Sequence, residues 1–520
     1  MRLPLHRPSV RRARTLLPTL LPALLLAISL PVTAPPASAG ERDLRATGTT
    51  TIAPWAQRAL DDARSALAGQ GGDPGTALRV LHRALPRLGA DADARAEART
   101  LLARPTEGVA DERGDGYDTP ATRRCTDRVC LHWVRTGRDA PPDAAWARAT
   151  LGVVDDVLAL QVDELGYRAP LGDGRRGGDD RLDVYLADVG ARGLFGYCAP
   201  EDLPSVRGTG TAAAYCVLDD DFARDEFGAA PRRSLDITAA HELSHAVQMA
   251  YDAEEDGWFH ESTATWMEER FADGADDSRR YLPYGPLRRP GVPLDRFDPS
   301  GYAHYGAWVF WEHMSDRFGV GFVRDVWERA AVDAGDASSV QALRATLRER
   351  GVRLPLALGR FAAANLAREQ EYDEGAAWPA PRAAATARVT RDDPARTEVE
   401  VDHLASAAVQ LQAGEPDARL EPGRWALRVV VDGPRRTTRP VAWVVVRRGE
   451  DSVLRRVRLD AEGVGAVAVP VSDRVDGVAV SLTNGSSRSR CDQGDATYAC
   501  GGTPRDDDQV FSVTAELARR

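Results

Sequence analysis

The chain has 520 residues, more than a single hydrophobic core organises, so two or three domains are expected. Hydrophobic residues make up 43% of the chain and charged residues 28%, a balance typical of a folded globular protein and not of a collagen-like or low-complexity one. The formal net charge of -11 disfavours nucleic acid and anionic membrane surfaces as partners, because both repel an acidic protein.

The N-terminus has the pattern of a secretion signal. A basic start, "MRLPLHRPSVRRART", precedes the apolar stretch "LLPTLLPALLLAISLPV" and the small-residue sequence "APPASAG". This pattern predicts a signal peptide over residues 1–39 that is removed on export. A membrane anchor is the alternative, but the apolar stretch is short and no stop-transfer segment follows it. We therefore expect a secreted, extracellular protein with no membrane span after signal removal.

Six cysteines in an exported chain predict disulfides. They form three couples that are close in sequence, and pairing within each couple is the simplest arrangement. A zinc knuckle is the alternative, but no C-x-x-C spacing occurs. The couples are Cys125 with Cys130, Cys198 with Cys216, and Cys491 with Cys500.

Three regions follow the signal. Residues 40–115 contain three helical stretches, which form either a prodomain or an N-terminal cap. Residues 116–376 begin with strand-like sequences ("VCLHWV", "RLDVYLADV", "AAAYCVL") around one long helix and continue as a mostly helical part. Residues 385–520 alternate apolar and polar positions in short runs, as expected of an all-β sandwich. The segment 379–389, "PAPRAAATARV", is the expected join.

The segment 238–252, "TAAHELSHAVQMAYD", carries the strongest chemical signal. His241 and His245 are four positions apart, so on a helix both imidazoles lie on one face and can bind one metal ion. Glu242 lies beside them, which gives the H-E-x-x-H pattern in which two histidines bind zinc and the glutamate is the base. The alternative is a core helix whose histidines are hydrogen-bonded, but three polar groups in five residues suit an apolar site poorly.

A catalytic zinc ion needs a third protein ligand. The extended motif with a later glycine and histidine is excluded, because Gln248 and Tyr251 stand at those positions. A glutamate from the next helix, in "GWFHESTATWMEE", is the other arrangement, and the polar break "DAEEDG" allows the chain to reverse before it. The candidate ligands are Glu261, Glu268, His260 and Asp252.

The zinc-helix motif and "WFHESTATW" resemble the gluzincin metallopeptidases, in which an E-x-x-A glutamate is the third ligand. The strings "GGDDRLDVYLADV", "AYCVLDDDF" and "YGAWVFWEHM" are similar to secreted zinc metallopeptidases of high-GC bacteria, over roughly residues 115–335. The resemblance implies one catalytic Zn2+ held by His241, His245 and Glu261. It also implies that Thr265 stands where some relatives carry an acid that orients a zinc histidine.

The implied fold is α+β: a zincin-like catalytic domain with a mixed sheet, an active-site helix and a helical subdomain, followed by the all-β sandwich. The implied activity is that of a zinc metallopeptidase, an endopeptidase that hydrolyses protein or peptide substrates. A zinc-activated water attacks the peptide bond with Glu242 as general base. Among Tyr302, His304 and Tyr305 the resemblance favours Tyr305 as the catalytic oxyanion donor, and an aromatic packing stripe is the alternative for these side chains.

Two further expectations concern the strand in "AAYCVLDDDF". Its edge is expected to pair with an extended peptide substrate. Its acids Asp219, Asp220 and Asp221, and also Asp173, Asp179 and Asp180 in "GDGRRGGDD", could bind Ca2+. Neither stretch has the calcium-loop spacing, and turn formation explains these acids equally well.

A different class of function is also compatible with the sequence. The protein could be a non-catalytic, zinc-containing extracellular or cell-surface binding protein, in which the C-terminal β domain binds a glycan or a protein partner. The intact Glu242 argues against it, because a binding module has no use for the base.

Overall fold

The structure, a computed structural model, describes residues 52–89, 91–107, 116–201, 210–335, 337–413, 424–472, 475–494 and 496–519. They form a mixed α+β protein with a β-rich C-terminal region. The predicted signal peptide lies outside the described residues. None of the described helices combines the length and the apolar composition that crossing a membrane requires.

Three helices make up the N-terminal part: α1 (Pro54–Leu67), α2 (Pro74–Ala84) and α3 (Ala92–Leu101). Proline in the first turn starts α1 and α2, and the side chain of Asp73 caps α2 by accepting a hydrogen bond from a backbone N–H of the first turn. Each helix buries an apolar stripe. These are the three helical stretches that the sequence predicted here.

A five-stranded sheet follows, in the spatial order β1-β2-β3-β5-β4. Strands β2, β3 and β5 run parallel, whereas β1 and β4 pair antiparallel with their neighbours. The sequence predicted β2, β3 and β5 and missed β1 and β4. The strands are β1 (Thr122–Cys125), β2 (Val129–Trp133), β3 (Leu182–Ala187), β4 (Gly196–Pro200) and β5 (Ala214–Asp219).

Strand β5 is an interior strand, so the expectation that its edge pairs with a substrate is wrong. It is hydrogen-bonded to β3 on one side and to β4 on the other. The reason is that β4 folds back along β5 with Cys198 opposite Cys216, and these two cysteines form a disulfide. The strand at that end of the sheet is therefore β4.

Helices cover both faces of this sheet. Alternate strand side chains point to opposite faces. Tyr185, Tyr197 and Tyr215 pack with the N-terminal helices, whereas Val184 and Leu218 pack with the helices that follow. Those helices are α4 (Ala144–Leu158) and α6 (Pro231–Gln248); the four-residue α5 (Arg224–Phe227) lies between β5 and α6 in the chain.

The helical part predicted from Ser234 onward is present, with a long irregular stretch at residues 282–304. Its core is rich in buried tryptophan, including Trp258, Trp308 and Trp311. The helices are α7 (Gly257–Ala272), α8 (Trp308–Phe318), α9 (Phe322–Ala330), α10 (Ser339–Glu349), α11 (Leu354–Leu366) and α12 (Arg368–Glu371).

The β-rich C-terminal region predicted from the alternating pattern is confirmed. A five-stranded sheet, β11-β10-β13-β8-β6, and a four-stranded sheet, β12-β9-β16-β7, share one apolar core. Strand β6 already occupies the second half of the expected join. The strands are β6 (Ala385–Val389), β7 (Ala395–Val401), β8 (Ala405–Ala413), β9 (Trp425–Asp432), β10 (Pro440–Arg448), β11 (Asp451–Val457), β12 (Val464–Pro470), β13 (Gly477–Asn484), β14 (Ser489–Arg490), β15 (Thr503–Pro504) and β16 (Gln509–Arg519).

All three predicted disulfides are present: Cys125–Cys130, Cys198–Cys216 and Cys491–Cys500. The first two link neighbouring strands of the N-terminal sheet, and the third closes a loop of the C-terminal region. Disulfides are typical of proteins from oxidising compartments.

Candidate metal centre

Helix α6 carries three of the predicted site residues. The rings of His241 and His245 lie 4.9 Å apart, as the four-residue spacing requires, and Glu242 is buried beside them. The helix lies between the sheet and α7, so nearly all its side chains from Ser234 to Gln248 are buried. Polar groups in such a position need partners, because desolvation without a hydrogen bond is costly.

Helix α7 brings a carboxylate to these histidines. Oε2 of Glu261 lies 3.3 Å from Nε2 of His241 and 3.6 Å from Nε2 of His245. Ligand atoms of the three side chains all lie within 4.8 Å of one another. The structure thus brings together the three residues proposed as metal ligands, and Glu261 is fully buried.

The remaining ring nitrogen of each histidine is held by another side chain. Nδ1 of His241 lies 2.7 Å from Oε1 of Glu268, and Nδ1 of His245 lies 2.8 Å from Oε1 of Gln248. Such contacts fix the ring orientation and leave Nε2 for an ion. Thr265 has no such role, since its hydroxyl donates to the backbone carbonyl of Glu261.

The other three candidate ligands, Glu268, His260 and Asp252, make different contacts. Glu268 contacts the outer nitrogen of His241, on the side away from Glu261. Both ring nitrogens of His260 are hydrogen-bonded, to Gln248 and to the backbone carbonyl of Asp252. Oδ1 of Asp252 accepts a hydrogen bond from the backbone N–H of Glu254. None of the three joins the group formed around Glu261.

One contact to the site comes from the N-terminal helices. The hydroxyl of Thr76, in the first turn of α2, donates a hydrogen bond of 3.0 Å to Oε1 of Glu261. The guanidinium of Arg79 lies 3.4 Å from the same hydroxyl and donates to the carbonyl of Ala253. The sequence carries no signal for this contact, because the partners are far apart in the chain and Thr76 belongs to no motif.

Burial and the attraction between the imidazoles and the carboxylates shift the pKa values of the site residues. Burial alone would raise the pKa of Glu261, but the two imidazoles hold it well below its usual value. Burial opposes the charge on His241, yet its carboxylate neighbours Glu261 and Glu268 raise its pKa well above the usual value. Burial raises the pKa of Glu242 to about 7 against the pull of the imidazoles. A carboxylate with a pKa near 7 can both accept and return a proton at neutral pH.

Of the three aromatic candidates, Tyr305 lies next to the histidines. Its ring is 5.9 Å from that of His241, and burial raises the pKa of its phenol well above the usual value, so the hydroxyl stays protonated and able to donate. Tyr302 is 50% exposed and packs on Tyr281 and Tyr284. His304 is buried against Phe297 and the ring of Tyr305.

A cleft of about 1030 Å³ is lined by His241, Glu242 and Tyr305, among other residues. Its walls come from the loop before α2, the chain that leads into β4, the face of α6 with His241 and Glu242, and the aromatic loop with Tyr302 and Tyr305. An extended ligand in this cleft would therefore contact both the base and the candidate metal position.

The acids considered for calcium separate into two groups. Asp173 pairs with Arg104, Asp179 pairs with Arg181, and Asp180 accepts a hydrogen bond from the backbone of Gly174, so these three serve ion pairs and turns. Asp219 and Asp220 instead lie with Asp188, and Asp219 also lies with Asp221 and Glu226; in each of these two sets one oxygen of every member is within 4.8 Å of the others. Burial raises the pKa of Asp219 to about 7 and that of Asp220 to about 8. Calcium at this second group stays a prediction.

Two imidazole nitrogens and one carboxylate oxygen match the donor set of a catalytic zinc ion, whereas calcium and magnesium prefer oxygen donors alone. The outer nitrogens of both histidines are held by Glu268 and Gln248, so the two inner nitrogens face Oε2 of Glu261, the third donor atom of the group. The residues present therefore fit zinc.

A comparison with known protein families finds no family model that matches this chain. A comparison with curated proteins finds no significant match. The function of this protein is consequently inferred from the residues and the geometry of this site.

Proposed function

We propose that this protein is a secreted zinc-dependent endopeptidase with a zincin-like catalytic domain. The observation that carries the proposal is the convergence of His241, His245 and Glu261, with Glu242 beside them. His241 and Glu242 line the cleft, whereas His245 and Glu261 are buried. A structural helix would have no reason to contribute to such a group of ligand atoms and to place an imidazole and a carboxylate at a cleft.

In this proposal His241, His245 and Glu261 hold one zinc ion, which would polarise the scissile carbonyl and lower the pKa of a water molecule. Glu268 and Gln248 keep the two imidazoles in the orientation that presents Nε2 to the ion.

Glu242 transfers the proton of the attacking water. Its carboxylate accepts a proton from the attacking water and delivers it to the departing amine. Tyr305 is a protonated phenol at the same cleft, and its hydroxyl can donate to the oxyanion that develops on the substrate carbonyl.

The cleft also suggests how a peptide is held. Strand β4 ends the sheet beside α6, and the residues that lead into it, Leu194 and Phe195, line the cleft together with Gly196. A substrate backbone lying along this chain would reach the base and the candidate metal position. The three disulfides support a location outside the cell, where such bonds persist.

The test combines metal content, cleavage and a substitution of the base. We expect the purified protein to hold one zinc ion per chain and to cleave unfolded casein. Glu242→Ala should keep the zinc and lose about 100- to 10,000-fold in rate. Glu254→Ala, which removes an exposed carboxylate nearby, is the control and should cleave like the wild type.

Two results would contradict the proposal. Equal rates for wild type and Glu242→Ala would show that this carboxylate is not the base. Zinc binding without cleavage of any sequence in a peptide library would favour the alternative of a non-catalytic binding protein.

A further inference from the structure

A second cleft, remote from the metal site, is lined by arginine. It has a volume of about 640 Å³ and lies between the helices α10 and α11 and the C-terminal β region. Seven arginines line it, together with a single acid, Asp460. They are Arg344, Arg348, Arg353, Arg436, Arg439, Arg456 and Arg488.

Six of these arginines form no ion pair with any residue that the structure describes. Within that part of the chain, the seventh, Arg488, pairs with Asp506. Oδ1 of Asp460 accepts hydrogen bonds from the backbone N–H groups of Glu462, Gly463 and Val464 and is committed to that turn. Burial, and then repulsion by Arg353 and Arg458, lower the pKa of Arg456. The cleft therefore carries a net positive charge, with seven guanidinium groups against the carboxylates of Asp460 and Asp506, in a protein whose formal charge is -11.

Packing holds the walls of this cleft together. Gly485, from the loop after β13, lies so close to α11 that a Cβ there would be 2.5 Å from Cβ of Pro355. Residues of the first turn of α11 also line the cleft, and a helix N-terminus carries a partial positive charge. The loop after β13 and the start of α11, which both line the cleft, are thus packed directly against each other.

The residues that line this cleft indicate the chemical class of ligand that it would bind. Guanidinium groups match phosphate and sulfate oxygens with paired hydrogen bonds. No described aromatic side chain lines the cleft, so there is no platform for stacking a base or a sugar ring. The volume lies within the range of about 300–1,000 Å³ that is common for small-molecule sites.

We propose that this cleft binds a multivalent anion carrying phosphate or sulfate groups, with Arg353 and Arg456 as principal contacts. The site joins the helical part to the C-terminal β region, so a bound anion would bridge the two. This inference is independent of the peptidase activity, and its test requires neither zinc nor cleavage.

The experiment is calorimetric titration of the full-length protein, without added metal, with sodium tripolyphosphate and separately with a sulfated oligosaccharide. We expect binding of at least one probe, weakened by added salt because the contacts are ionic. Arg353→Gln/Arg456→Gln should lose about tenfold or more in affinity, since each removed contact is a charged hydrogen bond. The probe that binds more tightly identifies the phosphate or the sulfate source.

The control is Arg58→Gln/Arg388→Gln, which removes the same charge from two exposed arginines outside the cleft. It should bind like the wild type. Two results would overturn the proposal: neither probe binds the wild type, or both double variants lose affinity equally.

Discussion

The hydroxyl of Thr76 donates a hydrogen bond of 3.0 Å to Oε1 of Glu261, although 185 positions separate the two residues. The other oxygen of Glu261 faces the paired histidines. The two oxygens of this carboxylate therefore have different roles. Oε1 is hydrogen-bonded to the N-terminal helices, and Oε2 can bind an ion.

This contact bears on the N-terminal segment, for which the sequence allowed either a prodomain or a cap. Its helices cover Tyr185, Tyr197 and Tyr215 on one face of the sheet, and the buried Arg104 pairs with Asp183. Losing the segment would expose this apolar face and remove the donor to the metal-site carboxylate. We therefore expect active protein to retain residues 54–101, as measured by intact mass. An active species that lacks them would contradict this.

The first substitution to make is Thr76→Val. It keeps the shape of the side chain and removes the hydrogen bond, so the carboxylate of Glu261 is less well oriented, and we expect zinc affinity to fall about 10- to 100-fold. Chelator competition measures this. Thr76→Ser should restore most of the affinity, and Thr100→Val, on the exposed face of α3, should have no effect. If Thr76→Val binds zinc as the wild type does, the contact has no positioning role.

Glu268 should matter for a related reason. Its carboxylate orients His241 through a contact of 2.7 Å, so Glu268→Ala is expected to weaken zinc binding by about 10- to 100-fold. The neighbouring Glu269 contacts Ser278 instead, and Glu269→Gln keeps an oxygen for that contact and serves as the control. If Glu268→Ala and Glu269→Gln bind zinc equally tightly, the contact from Glu268 is not needed to orient His241.

Tyr305 is expected to act on the rate and not on substrate binding. Removing one donor to a developing oxyanion typically costs about 100- to 1,000-fold in kcat, so Tyr305→Phe should lower kcat with little change in KM. Tyr302→Phe removes a more exposed hydroxyl from the same cleft and should be close to the wild type. Steady-state kinetics on one peptide separates the two variants. A change in KM alone would favour a packing role for Tyr305.

His403 should make stability depend on pH. It is buried between Asp295 of the irregular stretch and Asp507 of the C-terminal region, 3.0 Å and 2.6 Å away, with the ring of Tyr498 beside it. Burial opposes its charge, but the two carboxylates raise its pKa from 6.5 to about 9. The charged form is thus favoured by folding, and its contribution, about 3 kcal/mol, is complete below pH of about 6.5 and lost as the pH rises through about 9.

Urea unfolding of the wild type and His403→Gln measures this effect. At pH of about 6 the free energy of unfolding of the wild type should exceed that of the variant, and the difference should shrink at pH of about 10. A difference that stays constant between these two pH values would show that the charge on His403 does not stabilise the fold.

Local sequence was sufficient for most of the helices and strands and for the histidine pair of the site. Helical spacing places His241 and His245 on one face whatever surrounds them, and cysteines close in the sequence paired as expected. The alternation of the C-terminal strands likewise follows from the two-residue period of a β-strand. Such features depend on neighbours within a few residues, so no knowledge of packing is needed to predict them.

The tertiary structure decided what depends on distant parts of the chain. Glu261 and Glu268 lie on one face of α7, so from the sequence either could reach a histidine. Only the packing of α7 on α6 determines that Glu261 contacts the inner nitrogen of His241 and Glu268 the outer one. Only the docking of α2 places Thr76 at the site, and only the return of β4 makes β5 an interior strand. These contacts are set by which surfaces bury each other, and a local pattern does not encode that choice.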